Sequence, residues 1–141
     1  MENNQFVKVT VETTVDASID KVWESWTEPK HITQWCQASD DWHAPHADND
    51  PVTGGKFKTT MAAKDGTASF DFEGIYSNLI PGELIQYEMA DGRKVSISFK
   101  EDNGQTRVSE TFDTETMNPV EMQRAGWQAI LDNFKKYTES L

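Results

Sequence analysis

The sequence predicts an α+β domain in which a curved antiparallel sheet holds one long C-terminal helix. Three patterns support this fold class: a strand is followed at once by two short helices, turn dipeptides divide the middle of the chain, and a proline-free segment with one apolar face closes it. The predicted order is β-α-α-β-β-β-β-β(-β)-α. One domain spanning residues 1–141 is expected, because this length suits a single core.

The first predicted elements are a strand and two short helices. From Phe6 to Val15 valines alternate with polar residues, which is the period of a half-buried strand. Ser18 is the predicted N-cap of the first helix, and Pro29 suits the first position of the second, where its missing N–H costs nothing. The apolar face of the first helix follows the i, i+3, i+4, i+7 spacing: Ile19, Val22, Trp23 and Trp26.

Regular turn signals after residue 55 predict five consecutive antiparallel strands. Each signal ends in glycine, which suits the positive φ of a tight turn: Asp65-Gly66, Pro81-Gly82, Asp91-Gly92 and Asn103-Gly104. The predicted strands run from Lys56 to Ala63, Ala68 to Ile80, Glu83 to Met89, Lys94 to Lys100 and Gln105 to Thr114. The segment from Ala38 to Gly55 is predicted to be mostly loop, in which Trp42 anchors at most a short strand.

The last predicted element is a long helix that begins at Asn118-Pro119, with Asn118 as its cap and Glu121 in the first turn. Gly126 in the helix interior costs about 1 kcal/mol relative to alanine, so we expect another group to approach the backbone closely there. The apolar face comprises Trp127, Ile130, Leu131, Phe134 and Tyr137. A helix of this kind can lie across the whole sheet.

Strand alternation places an aromatic-rich set on the inner face of the sheet. Its members are Phe57, Thr59, Met61, Phe70, Phe72, Tyr76, Ile85, Tyr87, Met89, Val95, Ile97 and Phe99. One helix about 10 Å wide cannot cover a strongly twisted sheet of about six strands. These side chains therefore either fill the interior as plain core or line a space for a small apolar molecule.

Glu110 is the polar exception on this inner face. Val108, Glu110 and Phe112 share one side of their strand, so Glu110 points inward if Val108 does. A buried carboxylate needs a hydrogen-bond partner or takes a raised pKa, and both conditions produce groups that orient a ligand or transfer a proton. The alternative is that the strand end frays or bulges and Glu110 reaches solvent.

Composition excludes several classes of function. Lys and Arg number 13 against 24 Asp and Glu, and the formal net charge of -11 at pH 7 repels nucleic acid and anionic membrane surfaces. Cys36 is the single cysteine, which rules out an intrachain disulfide and suits a reducing compartment. The first residues, MENNQFVK, lack a signal-peptide pattern, and no apolar run approaches the roughly 18 residues of a membrane span. We expect a cytoplasmic protein.

Motifs for metal and nucleophile chemistry are weak. The string His43, His46, Asp48 and Asp50 offers metal-ligand types, but it lies in a predicted loop without a nearby cysteine. A solvated loop is favoured, and no metal or cofactor is expected. Cys36 and His31 point in different directions on a helix, so a buried thiol is favoured over a nucleophile. Neither a serine nucleophile elbow nor a phosphate-binding glycine loop is present.

Taken in order, several segments resemble the START-like (SRPBCC) helix-grip superfamily, and more narrowly the bacterial homologues of the C-terminal domain of the activator of heat-shock-protein-90 ATPase. The matching segments are residues 15–35, Gly54-Gly55-Lys56-Phe57, Gly74-Ile75-Tyr76, residues 81–85, Thr106-Arg107-Val108 and Gly126-Trp127. The resemblance implies a hydrophobic cavity between sheet and C-terminal helix. Two positions depart from the family pattern: Val52 replaces a common arginine, and Cys36 replaces a second aromatic after Trp35.

The leading hypothesis is a non-catalytic protein that binds a small apolar or aromatic ligand in this cavity. The predicted wall comprises Trp35, Phe57, Tyr76, Tyr87, Trp127, Leu131 and Phe134, with Glu110 as the polar handle. One alternative is a chaperone-associated interaction module that acts through its acidic surface. Another is an enzyme of cyclase, isomerase or hydrolase type that uses Glu110 with Tyr76 or Tyr87 as acid and base.

Overall fold

The computed structural model describes residues 6–37 and 39–141. Within them, seven strands form one antiparallel sheet in the order β1-β7-β6-β5-β4-β3-β2. The elements are β1 (Lys8–Val15), α1 (Ile19–Thr27), α2 (Pro29–Trp35), β2 (Trp42–Asn49), β3 (Lys56–Ala63), β4 (Ser69–Ile80), β5 (Leu84–Glu88), β6 (Lys94–Asp102), β7 (Gln105–Asp113) and α3 (Val120–Glu139). The predicted α+β fold is confirmed.

Local sequence signals define the helix pair and the hairpins. The Ser18 hydroxyl accepts a hydrogen bond from the Lys21 N–H at 3.5 Å, and Pro29 stands in the first turn of α2, as predicted. Glu28, between the helices, is extended and acts as C-cap of one and N-cap of the other. The glycines of the predicted turns all have positive φ. β2 to β7 therefore form a meander, and β1 pairs beside β7 at one edge.

The segment from residue 39 to 55 differs most from its prediction, while Ala38, where the predicted loop begins, lies outside the described residues. It contains the eight-residue strand β2, which pairs with β3 at the sheet edge. The register shifts between His43 and His46. The buried side chains of β2 are Ala44, within the shifted stretch, and Ala47, which follows it. This bulge breaks the alternation that would have revealed a strand. Pro45 is tolerated because β2 is an edge strand.

The start of α3 also differs from its prediction. Pro119 is the N-cap, and the Asn118 side chain does not cap the helix. Asn118 instead donates its amide to Glu115 at 2.7 Å, while Glu115 accepts the backbone N–H of Met117. The Gln123 side chain closes the same turn, because it accepts the Glu115 N–H and donates to the Glu115 carbonyl. Side chains thus organise the turn where a single cap was predicted.

α3 lies against β1, which is an edge strand. The Gln128 amide donates to the Glu12 carbonyl at 3.2 Å, and the Lys135 ammonium donates to the Thr14 carbonyl at 3.0 Å. These side chains occupy backbone acceptors that an open sheet edge leaves free. None of the described helices is long and apolar enough to cross a membrane.

Two glycines show opposite steric demands. A Cβ at Gly126 would meet no atom of the described residues within 4 Å, so the expectation that the sheet approaches the α3 backbone closely there is wrong. A Cβ at Gly55 would collide with the Asp50 carbonyl oxygen, because the chain bends tightly before β3. Gly55 is therefore required by geometry, whereas Gly126 is not.

We predict that Gly126→Ala raises the free energy of unfolding by about 0.5–1 kcal/mol, since alanine lowers the entropy of the unfolded chain and meets open space in the helix. Urea unfolding followed by tryptophan fluorescence measures the change. Gly55→Ala is the matched control and should destabilise the protein strongly. A less stable Gly126→Ala protein would contradict the open space observed beside α3.

Candidate ligand-binding cavity

A cavity of about 350 Å³ lies between the inner face of the sheet and the helices. Its lining draws on α1, α2, α3 and most strands, and it is mainly aromatic and aliphatic. This volume falls within the range of about 300–1,000 Å³ that is usual for small-molecule sites. Of the two readings left open by the sequence, the structure supports the one in which the aromatic set lines a space.

Most of the predicted binding residues line this cavity: Trp35, Phe57, Tyr76, Tyr87, Glu110 and Trp127. Leu131 and Phe134 do not line it, and both are fully buried in the core. The Phe134 ring packs against Trp26 and Trp35, with ring centroids 4.8 Å and 4.9 Å apart. On α3, Trp127 and Ile130 face the cavity. Phe134, on a different side of the same helix, faces α1 and α2.

Several lining residues were not predicted as site residues. Asn49 lies at the end of β2, the strand that the sequence pattern hid, so no signal identified it. Arg93 lies between β5 and β6, next to the Asp91-Gly92 turn, where strand alternation assigns no direction to a side chain. Cys36 also lines the cavity. Val52, which replaces the common arginine of the family pattern, is half exposed in the turn before β3 and does not line it.

The floor of the cavity is a cluster of aromatic rings on β3, β4 and β5. Phe57 contacts Tyr87 edge-on, with ring centroids 4.7 Å apart, and lies 5.4 Å from Tyr76 and 5.7 Å from Phe72. Gly74 stands directly opposite Phe57, and a Cβ at Gly74 would come within 2.9 Å of the Phe57 ring. The missing side chain lets the ring lie over β4. The floor is therefore a packed and ordered surface.

Trp127 forms the roof of the cavity from α3. Its ring stacks on Phe112 of β7, with centroids 4.0 Å apart and planes 6° from parallel, and it meets Phe72 edge-on at 6.0 Å. Stacking on one side and an edge contact on the other hold the indole in one orientation.

Tyr76 and Asn49 form a satisfied polar pair at the cavity wall. The Tyr76 hydroxyl donates to the Asn49 side-chain oxygen, and the Asn49 amide donates to the Thr27 carbonyl at 2.6 Å. Burial raises the pKa of Tyr76 above its usual value, so the hydroxyl is neutral at pH 7. This chain of hydrogen bonds joins β4, β2 and the end of α1.

Glu110 points into the cavity from β7. It pairs with Val11 of β1 and Ile97 of β6, and only 6% of its surface is exposed. The inward orientation is confirmed, and the alternative of a frayed strand end is wrong. Burial raises the pKa of Glu110 to about 8, with no hydrogen bond or opposite charge from the described residues counteracting it. The carboxyl is therefore mainly protonated at pH 7.

Tyr87 and Cys36 are the other buried titratable groups that line the cavity near Glu110. Burial, and secondly the charge on Glu110, raise the pKa of Tyr87 well above its usual value. Burial is also the main reason that the pKa of Cys36 is raised to about 12. The thiol is therefore protonated and unreactive at pH 7, as expected for a buried cysteine rather than a nucleophile.

The string from His43 to Asp50 does not bring three metal-ligating atoms together among the described residues. His43 and His46 are exposed on β2. His46 Nε2 lies 2.9 Å from Asp48 Oδ2, so these two side chains form a surface pair.

A different group, not singled out from the sequence, brings its ligand atoms within 4.8 Å of one another: Glu24, Glu28 and His31. Its members already have protein partners. His31 Nδ1 lies 2.6 Å from the Tyr137 hydroxyl, and the Lys30 ammonium lies 3.6 Å from Glu28. The contacts describe a surface polar network that joins α1, α2 and α3.

We predict that Glu110→Gln makes stability less dependent on pH. Below about pH 4.5, the ordinary pKa, the carboxyl is protonated in both states; between pH 4.5 and about 8 only the unfolded chain releases the proton. The free energy of unfolding of the parent protein should therefore fall across this window, by several kcal/mol at about 1.4 kcal/mol for each pKa unit. Urea unfolding of both proteins from pH 4 to pH 9 tests this, and parallel curves would contradict the raised pKa.

Comparison with known proteins identifies the family. A family profile described as "Activator of Hsp90 ATPase homolog 1-like protein" matches residues 16–139. A search of curated proteins finds no match. Among solved structures, the AHSA1-like protein from Aeromonas hydrophila has 43% sequence identity and a TM-score of 0.89, with 95% of this chain and 93% of that chain covered.

Two further solved structures extend the comparison. A protein from Cytophaga hutchinsonii has 56% identity and a TM-score of 0.82, with 94% and 92% of the two chains covered. A protein from Nitrosomonas europaea, at 16% identity and a TM-score of 0.82, covers 95% of each chain and shows the fold alone. The sheet that grips α3 is the START-like helix-grip fold that the resemblance implied. The chain therefore belongs to the Activator of Hsp90 ATPase homolog 1-like family.

Proposed function

We propose that this protein binds a small, largely apolar molecule in the cavity beneath α3. The observation that carries the proposal is the cavity itself, which has a volume of about 350 Å³ and a mainly apolar lining. Side chains of this size could have filled the interior, yet the rings of Phe57, Tyr87 and Trp127 stand around a space instead. Walls of this composition are typical of small-molecule sites.

The aromatic lining favours a flat or aromatic ligand. Phe57 and Tyr87 form the floor and Trp127 the roof, so a ring inserted between them would make face and edge contacts on both sides. Each Å² of apolar ligand surface removed from water contributes about 25 cal/mol.

The buried polar groups favour binding over acid–base catalysis. Glu110, Tyr76 and Tyr87 all have raised pKa values and are mainly neutral at pH 7. An acid–base pair of carboxyl and phenol needs one deprotonated member, and none of these three groups supplies it at pH 7, whereas a protonated carboxyl or hydroxyl serves as a hydrogen-bond donor. These groups are suited to orienting a ligand.

We predict that Trp127→Ala weakens binding of N-phenyl-1-naphthylamine, a neutral aromatic probe, at least tenfold, because the roof of the cavity is lost. The same change should lower the free energy of unfolding by about 3 kcal/mol. Fluorescence titration measures the affinity. Native mass spectrometry of protein purified from its own host should also show a co-purifying small molecule that Trp127→Ala loses.

Trp23→Ala is the matched control for this prediction. Trp23 packs edge-on against Phe99, at a centroid distance of 5.3 Å, and does not line the cavity. It should lower stability and leave the affinity for the probe unchanged. Unchanged affinity in Trp127→Ala, or an equal loss in both variants, would contradict binding in this cavity.

The second candidate function is contact with a chaperone. Two observations favour it: the description of the family names an activator of the Hsp90 ATPase, and the chain carries a formal net charge of -11. A complex driven by surface charge weakens with salt, since the Debye length falls from about 10 Å at 0.1 M to about 3 Å at 1 M.

We predict that a purified Hsp90-class chaperone from the same host retains this protein at low salt and releases it at high salt. Pull-down at the two ionic strengths measures the effect. Retention should be the same for Trp127→Ala, because this substitution leaves the net charge of the protein unchanged. Absence of retention at low salt would reject the chaperone function without affecting the ligand-binding proposal.

A further inference from the structure

Glu110 and Tyr87 are among the polar groups in the cavity that lack a partner among the residues that the structure describes. Neither the Glu110 carboxyl nor the Tyr87 hydroxyl takes part in a hydrogen bond with them, although each residue is only 6% exposed. The Tyr76 hydroxyl, by contrast, is satisfied by Asn49. The described side-chain atoms that are fully enclosed and unpaired lie elsewhere, in Ser25, Gln37 and Thr138, so the oxygens of Glu110 and Tyr87 are open to the cavity and free to pair with a molecule inside it. Both groups line the same cavity, where a ligand would supply the missing partner.

Both groups are held by rigid elements on one face of the sheet. Glu110 lies on β7 and Tyr87 on β5, with β6 between them, and both side chains point to the inner face. The Tyr87 ring is fixed by edge contacts with Phe57 and Phe72, and Glu110 is flanked by aliphatic neighbours. Glu110 pairs with Ile97 of β6, and Ile97 pairs with Ile85 of β5, which lies two residues before Tyr87 on the same face of β5.

The surroundings keep both groups protonated. The titratable groups that face Glu110 are Cys36 from the end of α2, Tyr76 and Tyr87 from the sheet, and Arg93 and Glu115 among the remaining lining residues. α3 contributes only the uncharged side chains of Trp127 and Ile130. The Arg93 guanidinium is paired with Asp91 at 2.7 Å. At pH 7 these two residues therefore offer the cavity one carboxyl O–H and one phenol O–H as neutral donors.

We infer that Glu110 and Tyr87 together hold the oxygen of an uncharged carbonyl compound, each donating one hydrogen bond to it. This inference rests on the proposed ligand-binding function and specifies the class of ligand. A carbonyl oxygen has two lone pairs and can accept both bonds. The rest of the molecule would lie between the aromatic floor and Trp127.

Charge disfavours the other ligand classes. A protonated amine would pair with an ionised Glu110, so two charges would have to leave water for an apolar cavity, which is costly. A carboxylate could accept both bonds, but its charge would enter an apolar cavity whose lining holds two acidic residues, Glu110 and Glu115, against one cation, Arg93, whose Nε already pairs with Asp91. A pure hydrocarbon would fit the walls and leave the two donors without acceptors.

The test compares three naphthalene derivatives of similar shape: 2-acetylnaphthalene, 2-naphthoate and 2-ethylnaphthalene. Isothermal titration calorimetry at pH 7 should show the ketone binding about tenfold more tightly than the hydrocarbon, and the carboxylate binding most weakly. Tyr87→Phe and Glu110→Met should each remove most of the ketone's advantage and leave the affinity for 2-ethylnaphthalene unchanged. Glu110→Gln should keep the advantage, because the amide N–H still donates.

Tyr137→Phe is the matched control for the loss of a tyrosine hydroxyl, because Tyr137 pairs with His31 and does not line the cavity. Its ketone preference should equal that of the parent protein. Circular dichroism and thermal unfolding establish that each variant folds. If Tyr87→Phe does not fold, the comparison of Glu110→Met with Glu110→Gln decides the question.

A pH series provides an independent readout. In the parent protein the affinity for the ketone should fall as pH rises through about 8, because the ionised Glu110 can no longer donate. In Glu110→Gln it should stay level from pH 6 to pH 9. A structural role for Glu110 alone would not produce a pH dependence specific to the ketone.

Equal binding of ketone and hydrocarbon, or tighter binding of the carboxylate, would overturn the inference and leave the proposed function standing. A flat pH profile in the parent protein would also overturn it. If none of the three compounds binds, the inference and the proposed function both fail.

Discussion

The cavity depends on a mismatch in width between one helix and the sheet that it crosses. Seven strands at a spacing of about 4.8 Å make a sheet about 30 Å wide, whereas a helix with its side chains is about 10 Å wide. α3 covers the side of β1, and α2 packs against β2 at the opposite edge. The cavity of about 350 Å³ lies over the strands between these two covers.

Aromatic packing explains why this space is not filled by its own walls. Trp127 stacks on Phe112 at a centroid distance of 4.0 Å, and the ring of Phe57 packs over Gly74. Trp26 and Trp35 pack edge-on against Phe134. Each ring has contacts that it would lose by swinging into the cavity. These packing contacts therefore keep the aromatic side chains out of the cavity, so the cavity stays open.

The same apolar walls determine the chemistry of the polar groups inside. Burial penalises charge, so Glu110, Tyr87 and Cys36 all have raised pKa values. The chain as a whole carries a formal net charge of -11, yet these buried groups are mainly neutral at pH 7. An acidic surface and an uncharged interior suit different partners. This contrast separates the two candidate functions, because salt acts on the surface and pH acts on the cavity.

The sequence by itself determined the helix pair, the hairpins and the long final helix, because caps, turn glycines and alternation are local signals. Alternation left two directions open for Glu110, and the pairing of β7 with β1 and β6 decided for the inner face. The sequence did not predict β2, because the register shift in this strand leaves its buried residues, Ala44 and Ala47, three positions apart instead of two or four. Only the tertiary structure decided which part of the α3 stripe meets the cavity, separating Trp127 from Leu131 and Phe134. That outcome depends on how α3 docks against the sheet and the other helices, as does the space left over, and no local pattern encodes the sum of those contacts.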